Sequence, residues 1–196
     1  STLYGVGSVS KMLTTISVMQ LVDAGKVSLD SPVTDYVTDF RMASPEYRQI
    51  TVRMLLNHSA GLPGTDYSNG FTTTPFAGYP QQVLETLATS RLKTTPGAMS
   101  VYCNDCFTLA GILVERMSGL PYTDYVTQRI LTPLGMSLSR YPTTPLAPGS
   151  YAPVLTDSGA LPAEIVNIHA SGGLLSTPDE MARLAAEIQL RSQEYA

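Results

Sequence analysis

Directly after Gly7, apolar residues recur at three- and four-residue spacing: Val9, Met12, Leu13, Ile16 and Met19. That spacing is the stripe of a helix. It predicts one over residues 8–24, with Gly25 just past its end, where a left-handed cap is usual. Leu3-Tyr4-Gly5-Val6 ahead of it reads as the end of a strand. The stripe must lie against something, so whatever else the chain forms has to cover it or leave it to a partner. Further helices are predicted over 51–57, 81–92, 105–118 and 121–131. Thr177, Pro178 and Glu180 spell a cap, a first helical residue and a capping box. They predict a final helix over 178–191, with Met181, Leu184, Ala185 and Ile188 inward. Residues 64–80 are rich in Gly, Thr, Ser and Pro and read as loop. Strand signals are few, so the chain is predicted to be α-rich.

The domain organisation expected is one partial domain over 1–196: the first helix at 8–24, a helical region at 51–140, a Pro-rich excursion at 141–162 and the final helix at 178–191. The excursion carries Pro142, Pro145, Pro148, Pro153 and Pro162 among apolar residues. It reads as an ordered surface segment or hairpin loop, not as a linker. The 196 residues suffice for one full-sized domain with a buried core. Hydrophobic residues at 43% and charged residues at 14% are a globular composition. The net charge is −4 and leaves no domain-wide basic surface, which argues against a nucleic-acid partner. No stretch approaches the roughly 18 consecutive apolar residues of a spanning helix. Ser1 to Gly7 has neither a positive region nor an apolar run, so no signal peptide is expected. The chain lacks an initiator Met and reads as a processed protein or an excised piece.

Two cysteines, Cys103 and Cys106, form a lone C-x-x-C. A structural zinc site needs four ligands, and no second pair is present. The pair reads as two small apolar side chains on a helix, or as a redox pair brought together by one helical turn.

Two groupings can carry chemistry. Ser8 and Lys11 stand three apart on the predicted first helix and share a face. A serine hydroxyl is a poor nucleophile until something removes its proton. A lysine can do so where burial lowers its pKa. The plain alternative is a capping serine and a solvated lysine. In Tyr102-Cys103-Asn104, a tyrosine can act as a base beside a cation. The Asn amide can accept from a Lys ammonium and donate to a carbonyl. The plain alternative has Asn104 capping a helix and Tyr102 packed.

Four segments in one order carry a resemblance: Ser8-Val9-Ser10-Lys11; Leu55-Leu56-Asn57-His58-Ser59-Ala60-Gly61-Leu62-Pro63; Pro96-Gly97 ahead of Tyr102-Cys103-Asn104; and Gly172-Gly173-Leu174-Leu175-Ser176-Thr177-Pro178-Asp179-Glu180-Met181. In this order they resemble the serine β-lactamase and penicillin-binding protein family, of the class C, D,D-peptidase and esterase type. The S-x-x-K element alone is weak; the ordered set spans residues 8–181. The resemblance implies the helical region of an α+β fold, with most of the sheet missing from both ends. It implies an acyl-enzyme hydrolase acting on a β-lactam, a D-alanyl peptide or an ester, with no metal or organic cofactor. Ser8 would be the nucleophile and Lys11 would share its proton. Tyr102 would be the base, Asn104 would hold Lys11 and the substrate, and the Ser8 N–H would give half an oxyanion hole. Gly172 and Gly173 would allow close backbone approach near the substrate. His58 and His169 would be structural. The family is mostly exported to the cell envelope.

The family's third motif, Lys or His followed by Thr or Ser and then Gly, does not occur in residues 105–196. The first helix normally packs on the sheet, so its stripe is expected to face water here. Self-association or a complementing segment would then cover it. The alternative function is a catalytically incomplete piece, or a non-catalytic binding module of the same fold.

Overall fold

The computed structural model describes residues 2–147 and 149–194, with side chains to residue 190. In chain order the elements are β1 (Tyr4–Gly5), α1 (Ser10–Asp23), α2 (Val52–Leu56), β2 (Phe71–Thr72), α3 (Tyr79–Thr89), α4 (Asn104–Ser118), α5 (Tyr122–Val126), β3 (Leu155–Thr156), β4 (Gly159–Ala160), β5 (Ile165–Val166), α6 (His169–Gly172), β6 (Leu175–Ser176) and α7 (Pro178–Glu194). The architecture is α-rich. Its strands form three antiparallel pairs, β1 with β6, β2 with β5 and β3 with β4. Short 3₁₀ turns at Val33–Asp35 and Pro45–Gln49 build the segment between α1 and α2.

Helix α4 is the centre of the core. Asp105 through Val114 are all buried, so this helix is covered on every side over the ten residues that follow its first. It packs against α1, α2, α3, α5 and α6. Gly111 faces Ala170 so closely that a Cβ there would lie 2.8 Å from the alanine methyl. That contact seats α6 directly on α4.

Helix α1 departs from expectation at its start. The predicted helix over 8–24 opens as a 3₁₀ turn over Gly7–Val9, and α-helix begins only at Ser10. Its faces are also distributed unusually. Val9, Met12 and Met19 of the apolar stripe are exposed, and only Leu13 of that stripe is fully buried. The inward face is instead Ser10, Lys11, Leu13, Thr14, Ser17, Val18 and Leu21. Its hydroxyls are all hydrogen-bonded, as burial demands. Ser10 Oγ donates to Gly7 O and accepts the Leu174 N–H. Thr14 Oγ1 donates to Ala170 O and accepts from the Tyr122 hydroxyl. Ser17 donates back to Leu13 O. Val9, Met12 and Met19 of the stripe therefore face water, while Leu13 turns into the core.

The predicted helix over 121–131 is split. Five residues of α-helix, Tyr122–Val126, run into a wider π-type turn at Thr127–Leu131. The Pro-rich excursion does contain a hairpin, formed by β3 and β4, and most of it is exposed. The start of α7 keeps only half of its expected capping box. Thr177 Oγ1 accepts the Glu180 N–H, but the Glu180 carboxylate turns away to Leu138 N, Ser139 N and the Ser139 hydroxyl. Leu184 is buried and Met181 and Ile188 pack at the core's edge, while Ala185 is exposed, contrary to its predicted inward place.

Candidate active site

The entry into α1 creates the first part of the site. β1 pairs with β6, and the chain then turns sharply at Gly7, whose φ of +52° is disfavoured for residues with a Cβ. The turn sets Ser8 at the N-terminal end of α1, on the surface, with Lys11 buried one turn on. The second part arrives from α4. Tyr102 ends the segment before that helix with 55% of its surface exposed, and Asn104 is the first helical residue.

Tyr102 Oη lies 2.5 Å from Ser8 Oγ. Lys11 Nζ donates to Ser8 Oγ at 3.2 Å, to Asn104 Oδ1 at 2.7 Å and to Ser171 O at 2.8 Å. All three ammonium protons are thus engaged. Ser171 Oγ donates to Asn104 O, closing the link between α6 and α4. The ammonium also stands 4.7 Å from the Tyr102 ring centroid. All four side chains expected to carry chemistry converge.

The plain alternatives for these residues do not describe what is observed. Asn104 is not the cap of α4; Cys103 holds that place, and its sulfur accepts the Cys106 N–H. Tyr102 is exposed, and Lys11 is buried with only 7% of its surface accessible. The two cysteines are neither free apolar side chains nor free thiols: a disulfide joins Cys103 to Cys106 across the helix start. Extended backbone at Cys103 directs its sulfur back over the first turn, with the two Cα atoms 5.4 Å apart.

Burial lowers the Lys11 pKa, against the opposing pull of the nearby phenol. For Tyr102, partial burial pushes the phenol up. The Lys11 ammonium and the Ser8 hydroxyl beside its oxygen outweigh that and hold it below its usual value. The two shifts run toward each other, which eases passage of a proton among Ser8, Tyr102 and Lys11.

A groove of about 410 Å³ opens at Ser8, lined by Gly5, Gly7, Tyr102, Asn104, Ser171 and Gly172, with Tyr67 and Phe71 on its far wall. Gly172 therefore reaches the groove. Gly173 is buried, and a Cβ on it would lie 2.7 Å from Val166 O and 2.9 Å from the His169 ring. Its small size serves packing behind the groove. His169 itself is mostly buried, with a Nε2 that has no hydrogen-bond partner. Sequence reasoning missed Ser171, because its part is played by a backbone carbonyl that any residue type supplies. Tyr67 and Phe71 lay in a stretch legible only as loop.

A family model described as Beta-lactamase matches residues 1–195. The D-alanyl-D-alanine-carboxypeptidase/endopeptidase AmpH of Escherichia coli strain K12 is 30% identical over 182 residues, covering 91% of this chain and 46% of that protein. Penicillin-binding protein 4 of Amycolatopsis lactamdurans is 33% identical over 136 residues, covering 68% of this chain and 34% of that protein. Among solved structures, the D-amino acid amidase of Ochrobactrum anthropi SV3 superposes with a TM-score of 0.77 at 27% identity, over 93% of this chain and 55% of that one. The chain thus spans about half the length, or less, of the curated relatives it matches.

Proposed function

The chain belongs to the Beta-lactamase family, and from that premise we propose that it carries the acylation site of a serine hydrolase. The substrate would be a β-lactam, a D-alanyl peptide or an ester. The observation that carries this is the position of Ser8 Oγ, 2.5 Å from the Tyr102 hydroxyl and 3.2 Å from the Lys11 ammonium.

In the proposed reaction Tyr102, as phenolate, takes the Ser8 proton while Oγ bonds to the substrate carbonyl carbon. Lys11 keeps the phenolate low in energy and is itself held by Asn104 and Ser171. The tetrahedral oxyanion collapses, the bond to the leaving nitrogen or oxygen breaks, and Tyr102 returns the proton to it. The acyl group is left as an ester on Ser8. Water then attacks that ester with Tyr102 as base, releasing the acid and restoring Ser8. The site's place at the N-terminal end of α1 favours negative charge developing there.

No helix among the described residues is long and apolar enough to cross a membrane. The relatives' kinship supports a place in the cell envelope, the periplasm or the medium. The exposed stripe of Val9, Met12 and Met19 supports a covering partner, either further sheet or a second copy.

The test is intact mass after incubation with a fluorophosphonate and, separately, a penicillin, with peptide mapping. An adduct on Ser8, absent from Ser8→Ala, is expected. A folded chain that takes no adduct would favour the alternative, a binding module of the same fold.

A further inference from the structure

His58 has no part in the proton path just described, yet its setting is unusual. It follows the end of α2 with φ of +64°, a left-handed conformation uncommon for a residue with a Cβ. Strain of this kind persists only where its surroundings enforce it, and it gathers at functional sites. Hydrogen bonds tie the segment before α4 onto this turn. The Ser100 hydroxyl donates to Asn57 O at 3.0 Å, Val101 N–H to His58 O at 2.9 Å, and Cys103 N–H to His58 Nδ1 at 3.1 Å. The His58 ring also lies against two aromatic rings, Tyr102 at 4.8 Å between centroids and Phe107 at 5.1 Å.

The left-handed backbone is what aims the His58 ring back at Cys103, the residue between Tyr102 and Asn104. We propose that His58 is a positioning residue of the acylation site: its unprotonated Nδ1 fixes the Cys103 N–H and its ring seats the Tyr102 ring, so that phenol and amide face Ser8 and Lys11 together. The inference rests on the serine hydrolase reading for its consequence, and on this geometry for its cause.

The bond from Cys103 requires a lone pair on Nδ1, so His58 must be neutral with its proton on Nε2. The titratable groups that face the ring are Lys11 on α1 and Tyr102. From α4 it meets the uncharged Phe107, and Arg53 of α2 is paired with Asp30. Burial, and then the Lys11 charge, disfavour a proton on His58 and outweigh the opposing pull of the Cys103 backbone. A second cation would also repel Lys11 and release Cys103. Asparagine is the informative replacement, because it tolerates left-handed backbone and its Oδ1 stands near where Nδ1 was.

The experiment compares parent, His58→Asn and His58→Ala for the rate of fluorophosphonate labelling across pH 4–9. It adds ¹⁵N imidazole and ¹³C tyrosine-ring spectra of the same proteins. His58→Asn is expected to label within about threefold of the parent at pH 8, and His58→Ala about 100-fold more slowly, as a small misplacement of reacting groups allows. Below its ordinary value near 6.5 the parent should show an added acid-side loss that His58→Asn lacks. The Tyr102 ring signals should move or broaden in His58→Ala and stay near the parent's in His58→Asn. Labelling of His58→Ala at the parent's rate across the range would overturn the proposal, as would a proton found on Nδ1. If His58→Ala does not fold, His58→Asn and the tautomer decide. A folded parent that never labels counts against the hydrolase reading, and the tautomer and tyrosine-ring signals still judge the positioning role.

Discussion

Lys11 Nζ donates to Asn104 Oδ1 at 2.7 Å, across 93 positions of sequence. That one bond joins the helix that presents Ser8 to the helix whose first turn follows Tyr102. Its strength follows from where it lies, since an ammonium out of water needs every proton engaged. Asn104 and Ser171 O supply two of the three acceptors, and the third is the nucleophile itself.

Replacing Lys11 by Ala should therefore slow acylation far more than it disturbs the fold. A loss of about 10²–10⁴-fold is expected, the range of a proton-transfer partner. Fluorophosphonate labelling rates measure it, with circular dichroism as the control for folding. A parent-like rate in a folded variant would remove Lys11 from the mechanism.

Tyr102→Phe isolates the phenolic oxygen. Tyr102 is 55% exposed and its ring is retained, so the melting temperature should change little. Labelling should fall by about 10²–10⁴-fold. In the parent the rate should rise with pH as the phenol ionises, with a midpoint below the ordinary tyrosine value because Lys11 and Ser8 favour the phenolate. Tyr102→Phe should lack that rise.

Glu180 carries a stability prediction. Its buried carboxylate accepts Leu138 N–H at 2.9 Å, Ser139 N–H at 2.7 Å and the Ser139 hydroxyl at 2.6 Å. Glu180→Ala strands the Leu138 and Ser139 N–H groups, while the Ser139 hydroxyl keeps the Ser176 hydroxyl at 2.6 Å, and each stranded donor costs about 1–3 kcal/mol. Urea unfolding should show a loss of about 2 kcal/mol or more, whereas Glu180→Gln, which keeps one acceptor, should lose less.

His169 ties stability to pH. Burial holds it down to about 4 from an ordinary 6.5, against a hydrogen bond to the Pro142 backbone that raises it. The unfolded chain binds this proton more readily, so the contribution is full above pH 6.5 and is lost as pH falls toward 4. The span corresponds to roughly 3 kcal/mol. Urea midpoints of the parent should drop across that window more steeply than those of His169→Asn.

Gly173→Ala tests packing behind the groove. Its Cβ would meet the Val166 carbonyl at 2.7 Å and the His169 backbone at 3.0 Å, and neither can swing aside. A lowered melting temperature is expected, by the 1–3 kcal/mol typical of overpacking. Gly172→Ala has only contacts of 3.8 Å or longer to make and should be tolerated better.

Much of the site is legible in the sequence. The spacing of Ser8 and Lys11, the Tyr102-Cys103-Asn104 triplet and the order of the motifs named the residues that converge. Periodicity located α1, α3, α4 and α7 to within a few residues. The disulfide was not legible, because a C-x-x-C spacing is equally compatible with free thiols. The division of α1 was not legible either. The apolar stripe marked a face that needs covering, but not that Ser10, Thr14 and Ser17 would take the core, which they do because Gly7, Leu174, Ala170, Tyr122 and Leu13 offer them partners.

The sequence by itself determined the local terms: where most of the helices lie, where Gly25 closes the first of them, and which side chains can exchange a proton. Those depend on residue type and on spacings of a few positions. Only the tertiary structure decided what faces what. The approach of Tyr102 to Ser8, the Ser171 carbonyl under Lys11 and the imidazole beneath Cys103 join residues tens of positions apart or more. Such contacts depend on how helices pack around α4, and local spacing carries no record of that.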